Sequence, residues 1–191
     1  DQLWGENGRD RIFGGEDEDY LNGGFDADTL FGGAGDDELH AGFGVGNRLE
    51  GEDGDDILIG ADDGGDRMFG GAGSDHITGR GGNDIIEGGA GDDLIDGGPG
   101  DDFISGGAGS DTVTGGADHD LVYGHSVDGN DDDGAPDYLY GDFGTNADEL
   151  GSGRDQLFGQ GGIDLLFGEG NDDRLAGGDG VGDLLDYGSG E

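Results

Sequence analysis

Residues 88–114 read GGAGDDLID, GGPGDDFIS and GGAGSDTVT, three consecutive nine-residue units in one frame. The same frame recovers GGAGDDELH at 32–40 and GGAGSDHIT at 70–78. A fixed period of this kind has to be read before any single helix or strand is assigned, because each unit is one supersecondary element. The pattern is G-G-x-G-x-D-x-U-x, with U apolar. Carried outward, the frame covers the chain in 18 units that begin at Gly5 and run to Asp186. Position six is Asp in 17 of them and Asn47 in the other, and position eight is apolar in all 18, from Ile12 to Leu185. The units starting at Ala41, Gly60 and Gly177 carry one extra residue, and those starting at Gly124 and Gly141 run to 17 and 18 residues.

Each unit divides into two halves. The glycines of the first half can take positive φ and turn backbone carbonyls inward. The last three residues, such as Leu94-Ile95-Asp96, suit a short strand that sends position eight to one side and positions seven and nine to the other. Two units then complete one coil of a solenoid whose interior receives one apolar side chain per strand. No coil buries its apolar face alone, so stability is shared along the axis. The predicted fold is all-β, a parallel β-roll of two sheets with about 19 half-coils, forming one continuous domain over residues 1–191. The insertions leave the roll as loops within 124–137 and 141–154. An 18-residue unit could hide two half-coils, but Asp148 would then point into the core, which favours the loop.

Composition narrows the function. The chain of 191 residues holds 52 Gly, 48 Asp or Glu, only 7 Lys or Arg and no Cys, for a formal charge of -41. Leu, Ile, Val and Phe make up about a fifth of it, too few for an ordinary core at that charge. Nucleic acids and anionic membranes need basic surfaces and are excluded as partners. No apolar run is long enough to span a bilayer. Without Cys, neither disulfides nor thiolate metal sites are available for cross-linking. Multivalent cations are the natural partners. Sixth-position carboxylates repeated every coil, about 4.8 Å apart, repel by roughly 1 kcal/mol per pair even at the dielectric constant of water. Calcium suits them, because it accepts six to eight oxygens in irregular geometry, whereas magnesium demands stricter octahedra.

The repeat resembles the RTX family of calcium-binding nonapeptide repeats, the hemolysin-type calcium-binding region, over essentially the whole chain. The resemblance implies a parallel β-roll with ions held between turns of successive coils, by sixth-position Asp side chains and Gly-rich backbone carbonyls. The implied ligands are Asp10, Asp19, Asp28, Asp37, Asp56, Asp66, Asp75, Asp84, Asp93, Asp102, Asp111, Asp120, Asp137, Asp155, Asp164, Asp173 and Asp183. Asn47 is a weak member, and Asp1 joins if the roll continues. Eighteen turns on two edges allow up to about 16 calcium ions, whose charge of roughly +32 would leave about -9. Asp17, Asp26 and Asp118 stand where the fourth-position Gly is expected and should weaken their turns. The family further implies secretion from a bacterial cell. Extracellular modules bind calcium at about 10⁻⁴ to 10⁻³ M, which places folding outside the cell. With no Ser partnered by His and an acid, and no acid pair distinguishable from calcium ligands, no catalytic residue is expected. The role expected is a structural segment of a secreted adhesin, surface or filament protein. The alternatives are the accessory domain of a secreted enzyme or toxin, and a carbohydrate-binding surface.

The run 128–134, DGNDDDG, resembles an EF-hand loop, but its Gly falls one place late and Leu139 stands where a bidentate Glu is wanted, so a solvated loop is expected. His40, His76, His119 and His125 share no spacing and are expected on the surface or in loops. The ninth-position aromatics Phe13, Phe31, Phe69, Tyr123, Tyr140, Phe158 and Phe167 should point outward, with packing between neighbouring rungs preferred over a sticky lateral surface. The chain closes on YGSGE and opens on DQLW, which together spell one further unit, so continuation end to end, by covalent copies or by stacking, is expected.

Overall fold

The structure is a computed structural model that describes residues 1–125, 134–142, 153–170, 172–179 and 182–188. Nineteen strands form in chain order: β1 (Gln2–Trp4), β2 (Arg11–Glu16), β3 (Tyr20–Phe25), β4 (Thr29–Ala34), β5 (Glu38–Phe43), β6 (Arg48–Asp53), β7 (Ile57–Ile59), β8 (Arg67–Ala72), β9 (His76–Thr78) and β10 (Ile85–Ala90). They continue with β11 (Leu94–Pro99), β12 (Phe103–Ala108), β13 (Thr112–Ala117), β14 (Leu121–Tyr123), β15 (Tyr138–Tyr140), β16 (Gln156–Phe158), β17 (Leu165–Phe167), β18 (Arg174–Ala176) and β19 (Leu184–Asp186). The ten odd strands make one sheet in sequence order and the nine even strands the other, all parallel. Each strand pairs with the one two places away, as a coil of two strands requires. Among the described residues there is no helix.

Register follows the repeat. Ile86 stands opposite Ile104 on one side and Met68 on the other, and Ile95 opposite Val113 and Ile77. The eighth positions therefore stack into two facing columns, and those from Leu21 to Leu175 are buried, joined by Ala41 and Ala61. Leu3, Ile12 and Leu185 are partly buried against them. Parity is kept on either side of the long units. Gln156–Phe158 pairs with Leu121–Tyr123 in the even sheet, and Tyr138–Tyr140 pairs with both Thr112–Thr114 and Leu165–Phe167 in the odd sheet. The EF-hand-like run lies outside the described residues except for Gly134.

The strands are longer than expected. Ten of the 19 extend through the first three residues of the following unit, as in Thr29–Ala34, where Gly33 pairs with Gly15 and Ala34 with Glu16. Glycine is retained there because the coils approach closely. A Cβ on Gly33, whose φ is 119°, would overlap the Gly15 carbonyl of the coil before. With so thin a core, each rung matters. Ile95→Ala should cost about 2 to 5 kcal/mol, whereas the adjacent half-exposed Leu94→Ala should stay within about 1 kcal/mol. Urea midpoints in saturating calcium provide the check.

Candidate functional site

The sixth positions form two unbroken ladders, one along each edge of the roll. On one edge the Asp10 N–H donates to Asp28 Oδ1 at 2.8 Å, Asp28 N–H to Asn47 Oδ1 at 2.9 Å, and Asn47 N–H to Asp66 Oδ1 at 2.8 Å. The series continues from Asp66 through Asp84, Asp102, Asp120 and Asp155 to Asp173. On the other edge it runs from Asp19 through Asp37, Asp56, Asp75, Asp93, Asp111, Asp137 and Asp164 to Asp183. Asp1 occupies the same position, its nitrogen 2.6 Å from Asp19 Oδ1. Every sixth-position residue named from the sequence thus falls into one of two columns, one residue per coil.

The ladder uses one carboxylate oxygen per Asp and leaves the other. In 15 of the 17 sixth-position Asp residues, the buried Oδ2 has no hydrogen-bond donor. The oxygen lies beside the first-position Gly of its own unit. A Cβ on Gly14 would come within 2.6 Å of Asp19 Oδ2 and 2.5 Å of the Gly32 carbonyl of the next coil. The slot is therefore lined by a carboxylate and by backbone carbonyls, all acceptors. A buried acceptor without a partner is costly, and a buried charge more so. Burial accordingly pushes these carboxyls up, Asp56, Asp102 and Asp155 to about 7, Asp84 and Asp93 to about 8, and Asp120 to about 9. The carboxylates of adjacent coils add to the rise, as Asp155 and Asp102 do for Asp120.

Such a set of hard, negatively charged and carbonyl oxygens without donors fits calcium, which would supply the missing positive charge. Among the described residues, no three His, Cys, Asp or Glu side chains converge on a point. Backbone carbonyls would therefore complete any such site, as the repeat's glycines allow. The family model of the RTX calcium-binding nonapeptide repeat matches residues 1–30, 14–47, 46–63, 61–95, 96–133 and 150–190. The chain belongs to this family. Among curated proteins, none matches it. An RTX roll is a structural calcium-binding domain.

The departures from the RTX pattern are legible in the structure. Asp17, Asp26 and Asp118 do hold the fourth-position backbone with φ of 72°, 76° and 79°, a left-handed conformation that costs a residue other than Gly about 1 to 2 kcal/mol. Beyond the sixth positions, the fifth positions build a shorter outer series: Asp55 N–H donates to Asp36 Oδ1 at 3.0 Å, Ser74 N–H to Asp55 Oδ1 at 2.7 Å, and Ser110 N–H to Asp92 Oδ1 at 2.9 Å. Asp142 was not foreseen. It is buried, its Oδ2 lacks a donor, and burial together with Asp173 and Glu169 pushes its carboxyl up to about 6. Its signal in the sequence was an acid at the second position of a unit, where the repeat has Gly.

The histidines need one correction. His76 and His119 are exposed and His40 is half-buried beside Glu38, but His125 is fully buried, not on the surface. Its ring turns inward among turn carbonyls. The ninth-position aromatics alternate between the faces as expected, with Phe13, Phe31, Phe69, Tyr123 and Phe158 on the even sheet and Tyr140 and Phe167 on the odd one. They pack on one another rather than standing free. Phe13 stacks on Phe31 at 4.8 Å, Tyr123 on Phe158 at 5.0 Å and Tyr140 on Phe167 at 5.0 Å, while Arg48 lies over Phe69.

Proposed function

We propose that this RTX roll is a calcium-dependent structural segment that folds outside the cell, as part of a secreted surface, adhesin or filament protein. The observation that carries the reading is the double column of buried carboxylate oxygens without donors. Metal binding and folding are then one event, because the columns exist only once the coils have stacked. Ligands of this kind in extracellular modules bind at about 10⁻⁴ to 10⁻³ M calcium, far above cytosolic levels, so the chain stays extended until it is exported. The sixth-position Asp residues are the proposed ligands, up to about 16 ions in all. The stacked aromatic pairs support a mechanical role, because they tie rung to rung along the roll.

The test is a calcium titration of the metal-free chain at neutral pH, followed by far-UV circular dichroism. A cooperative transition from coil to β-structure in the range of about 0.1 to 1 mM is expected. A chain that stays disordered in 10-fold higher calcium, or that is fully folded in chelator at neutral pH, overturns the proposal.

A further inference from the structure

Two turns in the ladders, among the described residues, hold a side-chain nitrogen among the oxygens of the turn. On the first edge this is Asn47. Its Oδ1 keeps the ladder, while its Nδ2 lies between its own turn and the next coil, 3.0 Å from the Gly44 carbonyl and 3.0 Å from Asp66 Oδ1. The second oxygen of Asp66 accepts the Ala61 N–H at 2.8 Å. Asp66 is thus supplied with donors on both oxygens, unlike the 15 carboxylates described above.

On the second edge the nitrogens belong to His125. Its Nδ1 is 2.8 Å from the Gly107 carbonyl of the preceding coil. Its Nε2 is 3.2 Å from the Gly161 carbonyl of the following coil and 3.7 Å from Asp137 Oδ2. The residue is clamped by its backbone as well, with its N–H on Gln160 Oε1 at 3.1 Å and its carbonyl accepting from Ser105 Oγ at 3.0 Å. Carbonyl oxygens only accept, so a neutral ring donates to one of the two and a protonated ring to both. An ion bound to the same carbonyls at about 2.3 to 2.6 Å would need the space of a ring that is fully buried.

We propose that Asn47 and His125 close these two turns in place of bound calcium, so that the roll carries two metal-independent staples, one on each edge. The inference rests on the calcium-binding reading. Each staple removes at least one inter-turn site from the maximum of about 16. The coils they join, β4 to β8 around Asn47 and β13 to β17 around His125, hold together at calcium levels that leave other coils apart.

The experiment is a crystal structure of the full chain grown in calcium, with ions located by their anomalous scattering, alongside ion counts by native mass spectrometry. Ions are expected in the turns of the other units, with none bonded to the Gly44 carbonyl or to Gly107 and Gly161. Asn47→Asp and His125→Gly should each bind at least one ion more than the unaltered chain. An ion in either turn of the unaltered chain, with the side chain displaced, overturns the inference while leaving the calcium reading intact. So does a folded His125→Gly chain with an unchanged count. A crystal without ions in any turn sinks the calcium reading itself. The map of the unaltered chain decides the matter even where a variant does not fold.

Discussion

In chelator, the roll is expected to lose stability as pH rises from about 4 to about 9, and in saturating calcium it is expected to show no such loss. The sign follows from the carboxyls. Folding without metal raises them from an ordinary 3.8 to about 6 for Asp75, about 7 for Asp56 and Asp102, and about 8 or 9 for Asp84, Asp93 and Asp120. The folded chain then holds more protons than the unfolded one. Its stability is fully present below the unfolded value and is lost as pH climbs through the folded values. One unit of elevation is worth about 1.4 kcal/mol, so a few such carboxyls are comparable with the 5 to 15 kcal/mol that usually holds a domain together. The overall charge of -41 acts in the same direction. Calcium competes with protons for the same oxygens, so its stabilisation grows as the carboxyls ionise. Urea midpoints measured across pH with and without chelator should therefore give curves that diverge towards alkaline pH. A chelated roll that becomes more stable with rising pH would falsify the assignment of these buried oxygens.

The second large effect is a change of sign at a single residue. Asp93 has two jobs on two oxygens: Oδ1 accepts the Asp75 N–H at 2.8 Å, and Oδ2 is left for an ion. Asp93→Asn keeps an acceptor for the ladder but removes the charge. In saturating calcium it should weaken the roll by about 2 to 4 kcal/mol, as one charged ligand is lost. In chelator at about pH 8 it should stabilise the roll, because an expensive buried carboxylate has gone. Asp93→Ala removes both functions, leaves the Asp75 N–H without its acceptor, and should destabilise in calcium more than Asp93→Asn does. Paired denaturation curves for the three chains read the result directly. An Asp93→Asn chain less stable than its parent under both conditions would mean that the column serves the ladder alone.

Much of the molecule was legible because the repeat makes one decision 18 times. An apolar residue at position eight and none at seven or nine on the same side admits only one way of burying the chain, and Ile86, Ile95 and Ile104 lie in the column their spacing predicts. The sixth-position acids were equally plain, since a side chain that recurs once per half-coil must recur on the same edge. Strand length was not legible. Whether Gly33 ends a strand or continues it depends on the carbonyl of Gly15 in the coil before, a partner 18 residues away.

The sequence by itself determined the period, the two-sheet coil, the core column and the rows of acids, because these depend only on which residue types recur at which interval. Tertiary structure alone decided which donors reach which acids. His125 and Asp142 occupy the same second position of the two long units, yet one ring meets two carbonyls and the other side chain keeps an oxygen without a donor. Asn47 looks like a lost ligand until its amide is seen between Gly44 and Asp66. Such outcomes depend on distances of about 3 Å between residues on neighbouring coils. A one-dimensional pattern places those residues in the same column but does not say where their side chains turn.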